Sequence, residues 1–388
     1  MCVLSHLRAP GWLLLLFLSL SSLLLPAQTA ASQSTVLIPL TAAIPTAPTV
    51  FVGGDQQLLC YEIYLNNLSS TPWSVQRIDV FNESAASLQT VEGKDLDGVM
   101  FHPRVSRGSK SGAPAEIAPG ESVIAYMWIA LRKGTPTPNE LRHKFSVKRA
   151  GDDKTYEMDA ASTPVLNKLP MIASPLRGKN WVAANGPSNT SQHRRAIIVV
   201  SGTPHISQRY AIDWLQIGGD NKTYRGDAKD NHSYYCFGAE ALAVADGTVV
   251  EVKDGLPENI PNAPPVIPIT LDTVAGNHIN LDLGGGVYAM YAHLQPGSLR
   301  VKPRDKVIRG QVIGLVGNTG NSSEPHLHFQ LMDRNSPMVS EGLPYSLPEF
   351  KVTGKTVGDS DKAGVNRLAS PKIQKNQIPL EDDVVDFG

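Results

Sequence analysis

The sequence predicts an all-β fold in two domains, an N-terminal immunoglobulin-like β-sandwich followed by a compact antiparallel β domain. Three observations carry this reading. A chain of 388 residues exceeds what one hydrophobic core usually fills, about 250 to 300 residues. Its 33 Gly and 29 Pro are high for a helical protein. The apolar residues also fall in short runs cut by turn residues, not in helical periods.

At the start, Arg8 precedes an apolar run over residues 12–25 and then the small-residue stretch PAQTAA. A basic start, a short apolar core and small residues at a cleavage point describe a signal peptide over residues 1–31. The run is shorter than the roughly 20 residues a spanning helix needs. The chain is therefore expected to be exported, periplasmic or extracellular, with no stable membrane anchor after cleavage. Cys60 and Cys236 then remain, in different domains, as two buried thiols or one interdomain disulfide. With 35 Lys+Arg against 36 Asp+Glu the formal net charge is −1, so no basic field draws in a polyanion and nucleic acid is not a favoured partner.

Residues 32–165 give the sandwich: runs over 58–65, 73–81 and 122–131, the last after the turn Ala118-Pro119-Gly120, alternate with period two. His102 and His143 lack a second ligand at short spacing and read as surface or packed histidines. A Pro-rich linker covers residues 166–191. The second domain, 192–350, is a series of Gly-punctuated strands, among them 194–200, 243–252, 277–283, 287–292, 312–316 and 326–332. Residues 351–388 are polar and aperiodic, which predicts an irregular tail.

The chemistry-bearing residues lie in the second domain. In His326-Leu327-His328, positions i and i+2 of a strand project from one face, so two imidazoles converge in a geometry that suits zinc. His293 ends the apolar strand YAMYAHL at the turn Gln295-Pro296-Gly297, where a catalytic base would be displayed; a histidine bonding the turn is the plainer reading. Asp213 closes the apolar run QRYAID. A buried carboxylate needs a cation or a metal, and Arg209 is the ordinary partner.

AEALAVADGTVV (239–250), YAHL (291–294), GLVGNTG (314–320) and PHLHF (325–329), in this order, resemble the lysostaphin-like zinc endopeptidases of peptidoglycan cross-bridges. The resemblance covers roughly residues 190 to 345. It implies a lysostaphin-type peptidase domain, a narrow groove, a zinc ion (Zn2+) held in part by Asp213 and His328, and catalytic roles for His293 and His326. The family's first ligand, a His four residues before the Asp, is replaced here by Arg209, which cannot ligate because it is always protonated.

A hairpin of residues 194–200 and 207–213, turning at Gly202-Thr203-Pro204, would pair positions summing to about 406 and place His193 opposite Asp213. His205 would lie in the turn, about 26 Å of strand from Asp213. His193 is therefore the expected third ligand, ahead of His205, with His232 or no metal as the remaining alternatives, and His278 reads as a strand residue. A His-Arg-Arg strand before Gln-Arg-Tyr-Ala-Ile-Asp also resembles one branch of the family. The expected function is a secreted zinc endopeptidase acting on peptidoglycan peptide. The alternative, motivated by Arg209, is a degenerate relative that binds peptidoglycan or regulates a partner hydrolase without cutting.

Overall fold

The computed structural model describes residues 37–103, 115–358 and 364–388. The signal peptide expected over residues 1–31 lies outside them. Among the described residues no helix is long and apolar enough to cross a membrane. Nearly every regular element is a strand; one α-helix, Asp95–Val99, is present among them.

The N-terminal half is two antiparallel sheets over one core. The first runs in the order Leu40–Ala43, Gln56–Asn67, Ser122–Arg132, Met100–Phe101; the second in the order Thr155–Asp159, Glu140–Arg149, Trp73–Asn82, Ser87–Glu92. Gln56–Asn67 shows how one strand serves two cores. Its odd positions Leu59, Tyr61, Ile63 and Leu65 pack between the two sheets. The even positions Leu58 and Cys60 join the core of the C-terminal half. A strand buried on both faces reads as a continuous apolar run, and this double burial sets Glu62, on the even face, 2% exposed at the seam between the halves.

Of the two expected placements, surface or packed, His102 and His143 both take the packed one. His102 Nδ1 meets Glu121 Oε1 at 2.8 Å, while His143 lies between the Tyr61 hydroxyl and the Ala161 carbonyl, each at 2.7 Å. Burial pushes the His143 imidazole down to about 4. The unfolded chain, with an ordinary value near 6.5, takes up that proton first. Stability is thus full above about pH 6.5 and falls as pH drops towards 4, by up to about 3 kcal/mol from this group. Urea unfolding at pH 7 and pH 4.5 checks this: His143→Gln should lose less stability between the two than the wild type.

The C-terminal half is built on one long antiparallel sheet in the order Lys306–Val307, Gly247–Lys253, Asn277–Asp282, Tyr288–Leu294, Leu327–Met332, Ile212–Gln216, Gly178–Ala184, Asp383–Phe387, Leu347–Val357, Gly364–Gln377. Two expectations are corrected here. The linker over 166–191 contains Gly178–Ala184, an interior strand of this sheet. The irregular tail over 351–388 instead supplies two whole strands and most of a third, Leu347–Val357, the outermost of them Gly364–Gln377. That strand is almost wholly exposed, so it has no apolar face and left no periodicity to read. Residues Ile38–Gly388 pack as one compact unit. Cys60 and Cys236 are buried free thiols, and burial raises both.

Candidate metal and active site

Strand register brings the site together. Asp213 lies opposite His328, and His328 opposite Ala292 on its other side. His326, His328 and Gln330 alternate with Leu327 and Phe329, so the first three line the groove while the other two enter the core. His293 breaks this alternation. Met290 and Ala292 already face the groove, so the next residue belongs on the core side. A register shift between Asn277 and Ile279 and a left-handed φ of 64° at His293 turn its ring back to the groove. The groove holds about 390 Å³.

His193, Asp213 and His328 each offer a ligand atom within 4.8 Å of the others. His193 Nε2 lies 3.2 Å from Asp213 Oδ2, and His328 Nδ1 lies 2.8 Å from Asp213 Oδ1. The other ring nitrogens are engaged by acceptors: His193 Nδ1 by the Ala211 carbonyl at 3.3 Å, His328 Nε2 by Gln330 Oε1 at 2.8 Å. A carbonyl oxygen only accepts, so those nitrogens carry the protons and the inward nitrogens present lone pairs. Two imidazole lone pairs thus converge on one carboxylate, an arrangement that requires protons or a cation between them. Two imidazoles and a carboxylate suit zinc and leave a coordination position open.

Two further imidazoles complete the groove. His293 Nδ1 donates to the Thr319 carbonyl at 2.7 Å and His326 Nδ1 to the Glu324 carbonyl at 2.8 Å. This leaves both Nε2 atoms facing inward, that of His326 at 3.4 Å from Asp213 Oδ1. The His293 and His326 rings lie 4.8 Å apart. Burial, with the charges of the neighbouring imidazoles, holds His293 well below the usual histidine range. Burial also opposes charge on His326 and His193, but the Asp213 carboxylate outweighs it and raises both. Burial alone would raise Asp213; the His193 and His326 rings hold it well below the carboxylate range.

The structure brings His193, Asp213, His293, His326 and His328 into one groove. The route to His193 differs from the expected hairpin, however. The strands are only Ile198–Val200 and Thr203–His205, paired with Ile198 opposite His205, so His193 lies before them in a turn. Asp213 pairs instead with Ala184 and His328. Arg209 is not Asp213's partner either. It sits in the turn before Ile212–Gln216 and binds Glu62 and Glu341 at 2.9 and 2.7 Å. His205 turns to Glu341 at 3.3 Å, outside the cluster. His278 is a buried strand residue bonding the Gly276 carbonyl, and His232 lies in the short turn Asn231–Ser233.

Sequence reasoning missed two groove residues. Gln330 fixes which nitrogen of His328 is protonated, and period two from His326 and His328 points to it. Asn185 Nδ2 donates to Asp213 Oδ2 at 2.9 Å from the stretch read as linker, where nothing marked it.

Residues 234–340 match the model of peptidase family M23. This segment contains His293, His326 and His328 but neither His193 nor Asp213. Peptidoglycan DD-endopeptidase ShyA of Vibrio cholerae serotype O1 is 44% identical over 64 residues, 16% of this chain and 14% of that protein. DD-carboxypeptidase/endopeptidase Mpg of Neisseria meningitidis serogroup B is 31% identical over 93 residues, 24% of this chain and 21% of that one. Lysostaphin of Staphylococcus staphylolyticus is 48% identical over 58 residues, 15% and 12% respectively. The matched stretches thus span about a fifth or less of these relatives. The family match and three of the groove histidines, His293, His326 and His328, thus fall in one segment, so it is residues 234–340 that are similar to peptidase family M23 and, within it, to lysostaphin.

Proposed function

We propose that this protein is an exported zinc-dependent endopeptidase that hydrolyses peptide cross-links of peptidoglycan. The observation that carries the reading is the convergence of two imidazole lone pairs and a carboxylate, from His193, His328 and Asp213, beside two more inward-facing imidazoles. The similarity to ShyA, a peptidoglycan DD-endopeptidase, and to Mpg, a DD-carboxypeptidase/endopeptidase, supports the substrate class.

In this reading His193, Asp213 and His328 hold the metal. A zinc ion held there would supply Lewis acidity towards the scissile carbonyl and towards water near neutral pH. Gln330 and the Ala211 carbonyl fix the tautomers of the two ligand imidazoles, and Asn185 orients the carboxylate. His293, with Nδ1 held as a donor to Thr319, has Nε2 free to accept the proton of the attacking water and pass it to the leaving amine. His326, whose Nδ1 already donates to Glu324, carries an Nε2–H only as the imidazolium, the form the Asp213 carboxylate favours, and that Nε2–H points into the groove as a donor to the oxyanion that forms. The groove wall around them is otherwise neutral: Gln192, Gln208, Asn321, Ser323, Val274 and Met338.

The binding-only alternative rested on Arg209, whose guanidinium is turned away from the groove to Glu62 and Glu341. Purified protein should therefore carry close to one zinc per chain and clear a suspension of cell walls. Chelation should abolish clearing, and zinc should restore it. Metal-free protein that still clears walls, or loaded protein that never does, would overturn the reading.

A further inference from the structure

We propose that Glu62 of the N-terminal sandwich is a positioning residue for the metal centre of the C-terminal half, acting through Arg194 on its neighbour His193. The inference rests on the reading of His193, Asp213 and His328 as the metal set. His193 sits in a turn whose backbone bonds are local: Arg195 N–H to the Ser191 carbonyl and Ala196 N–H to the His193 carbonyl, each 3.2 Å. No strand ladder fixes it, unlike Asp213 and His328. Its imidazole has one anchor beyond the cluster, the 3.3 Å bond to Ala211.

The next residue is fixed far more firmly. Arg194 is 0% exposed. Its Nη2 donates to the Tyr61 and Met127 carbonyls at 3.0 and 2.8 Å, and its Nε to Glu62 Oε1 at 3.2 Å. Its guanidinium also lies over the Tyr126 and Trp128 rings, 5.2 and 5.9 Å from their centroids. These five partners belong to two sandwich strands, Gln56–Asn67 and Ser122–Arg132; a further one, Asn189, does not.

Glu62 also holds Arg209, Oε2 accepting from Nε at 3.1 Å and from Nη2 at 2.9 Å. Arg209 lies four residues before Asp213. One buried carboxylate therefore clamps both segments that bring His193 and Asp213 to the groove. Burial resists its ionisation, but the two guanidiniums keep it charged. Without the Glu62 charge, Arg209 still meets Glu341, while Arg194 keeps only the neutral partners Tyr61, Met127 and Asn189 among the described residues, so an unneutralised buried guanidinium is left one residue from His193.

The test uses the full chain with Glu62→Gln, Glu62→Asp and Arg194→Lys. Zinc affinity is measured by competition with a chromophoric chelator, and thermal midpoint separately. Glu62→Gln should weaken zinc by about 10-fold or more, in the range seen when outer partners of metal ligands are lost. Glu62→Asp should recover part of that loss. Arg194→Lys keeps the charge but not the planar fork to Tyr61 and Met127, and should weaken zinc several-fold even if Glu62→Gln fails to fold. A lower thermal midpoint with unchanged zinc affinity in the folded variants would make Glu62 merely structural and overturn the inference, leaving the metal reading intact. A wild-type chain that binds no zinc would remove both.

Discussion

His193→Ala is expected to lose its zinc on dialysis and to cleave cell walls at least about 10³-fold more slowly, while His205→Ala keeps both metal and activity. The magnitude follows from the Lewis-acid contribution, several kcal/mol at 1.36 kcal/mol per decade of rate. Direction follows from geometry. His193 Nε2 reaches Asp213 Oδ2 at 3.2 Å, whereas His205 is engaged with Glu341. Three donors become two in the first variant, too few for a retained catalytic zinc. Metal content by elemental analysis and release of dye-labelled wall fragments are the two readouts. Zinc lost from His205→Ala and kept by His193→Ala would reassign the third ligand.

The second large effect separates metal binding from proton transfer. His293→Ala and His326→Ala should each retain zinc but lower turnover by about 10²- to 10⁴-fold, the usual contribution of a positioned acid or base. Both imidazoles are anchored by Nδ1 to backbone carbonyls and are not members of the three-residue cluster, so their removal leaves the donor set whole. Zinc stoichiometry and the rate of wall clearing on the same preparations distinguish these variants from His193→Ala. If either loses zinc together with activity, that histidine belongs to the ligand set.

Those parts of the site that depend on strand period were legible in the sequence. His326 and His328 share a face because strands have period two, and the runs 58–65, 73–81 and 122–131 became Gln56–Asn67, Trp73–Asn82 and Ser122–Arg132. Legibility failed where partners are distant in sequence. His193 was assigned by a hairpin register that the chain does not adopt; it reaches Asp213 from a turn held by sandwich residues some 130 positions away. The side-chain direction of His293 depends on a local register shift that no residue type announces. Gly178–Ala184 and Asp383–Phe387 are short strands whose partners are each other and distant neighbours, so neither shows a periodicity of its own.

The strand Gly364–Gln377 also bears on how the molecule stays apart from its own kind. An outermost strand of 14 residues presents a row of unpaired backbone groups on which another chain could add and begin aggregation. Here the ladder skips from Gly354 opposite Arg367 to Val352 opposite Lys372, so residues 368–371, including Pro371, bulge out of register. Arg367, Lys372 and Lys375 add like charges along the same edge. The other end of the sheet, Lys306–Val307, is only two residues long. A bulge, a proline and lysines at one end and brevity at the other leave no flat edge for intermolecular β-pairing, a useful property for a protein this rich in strands.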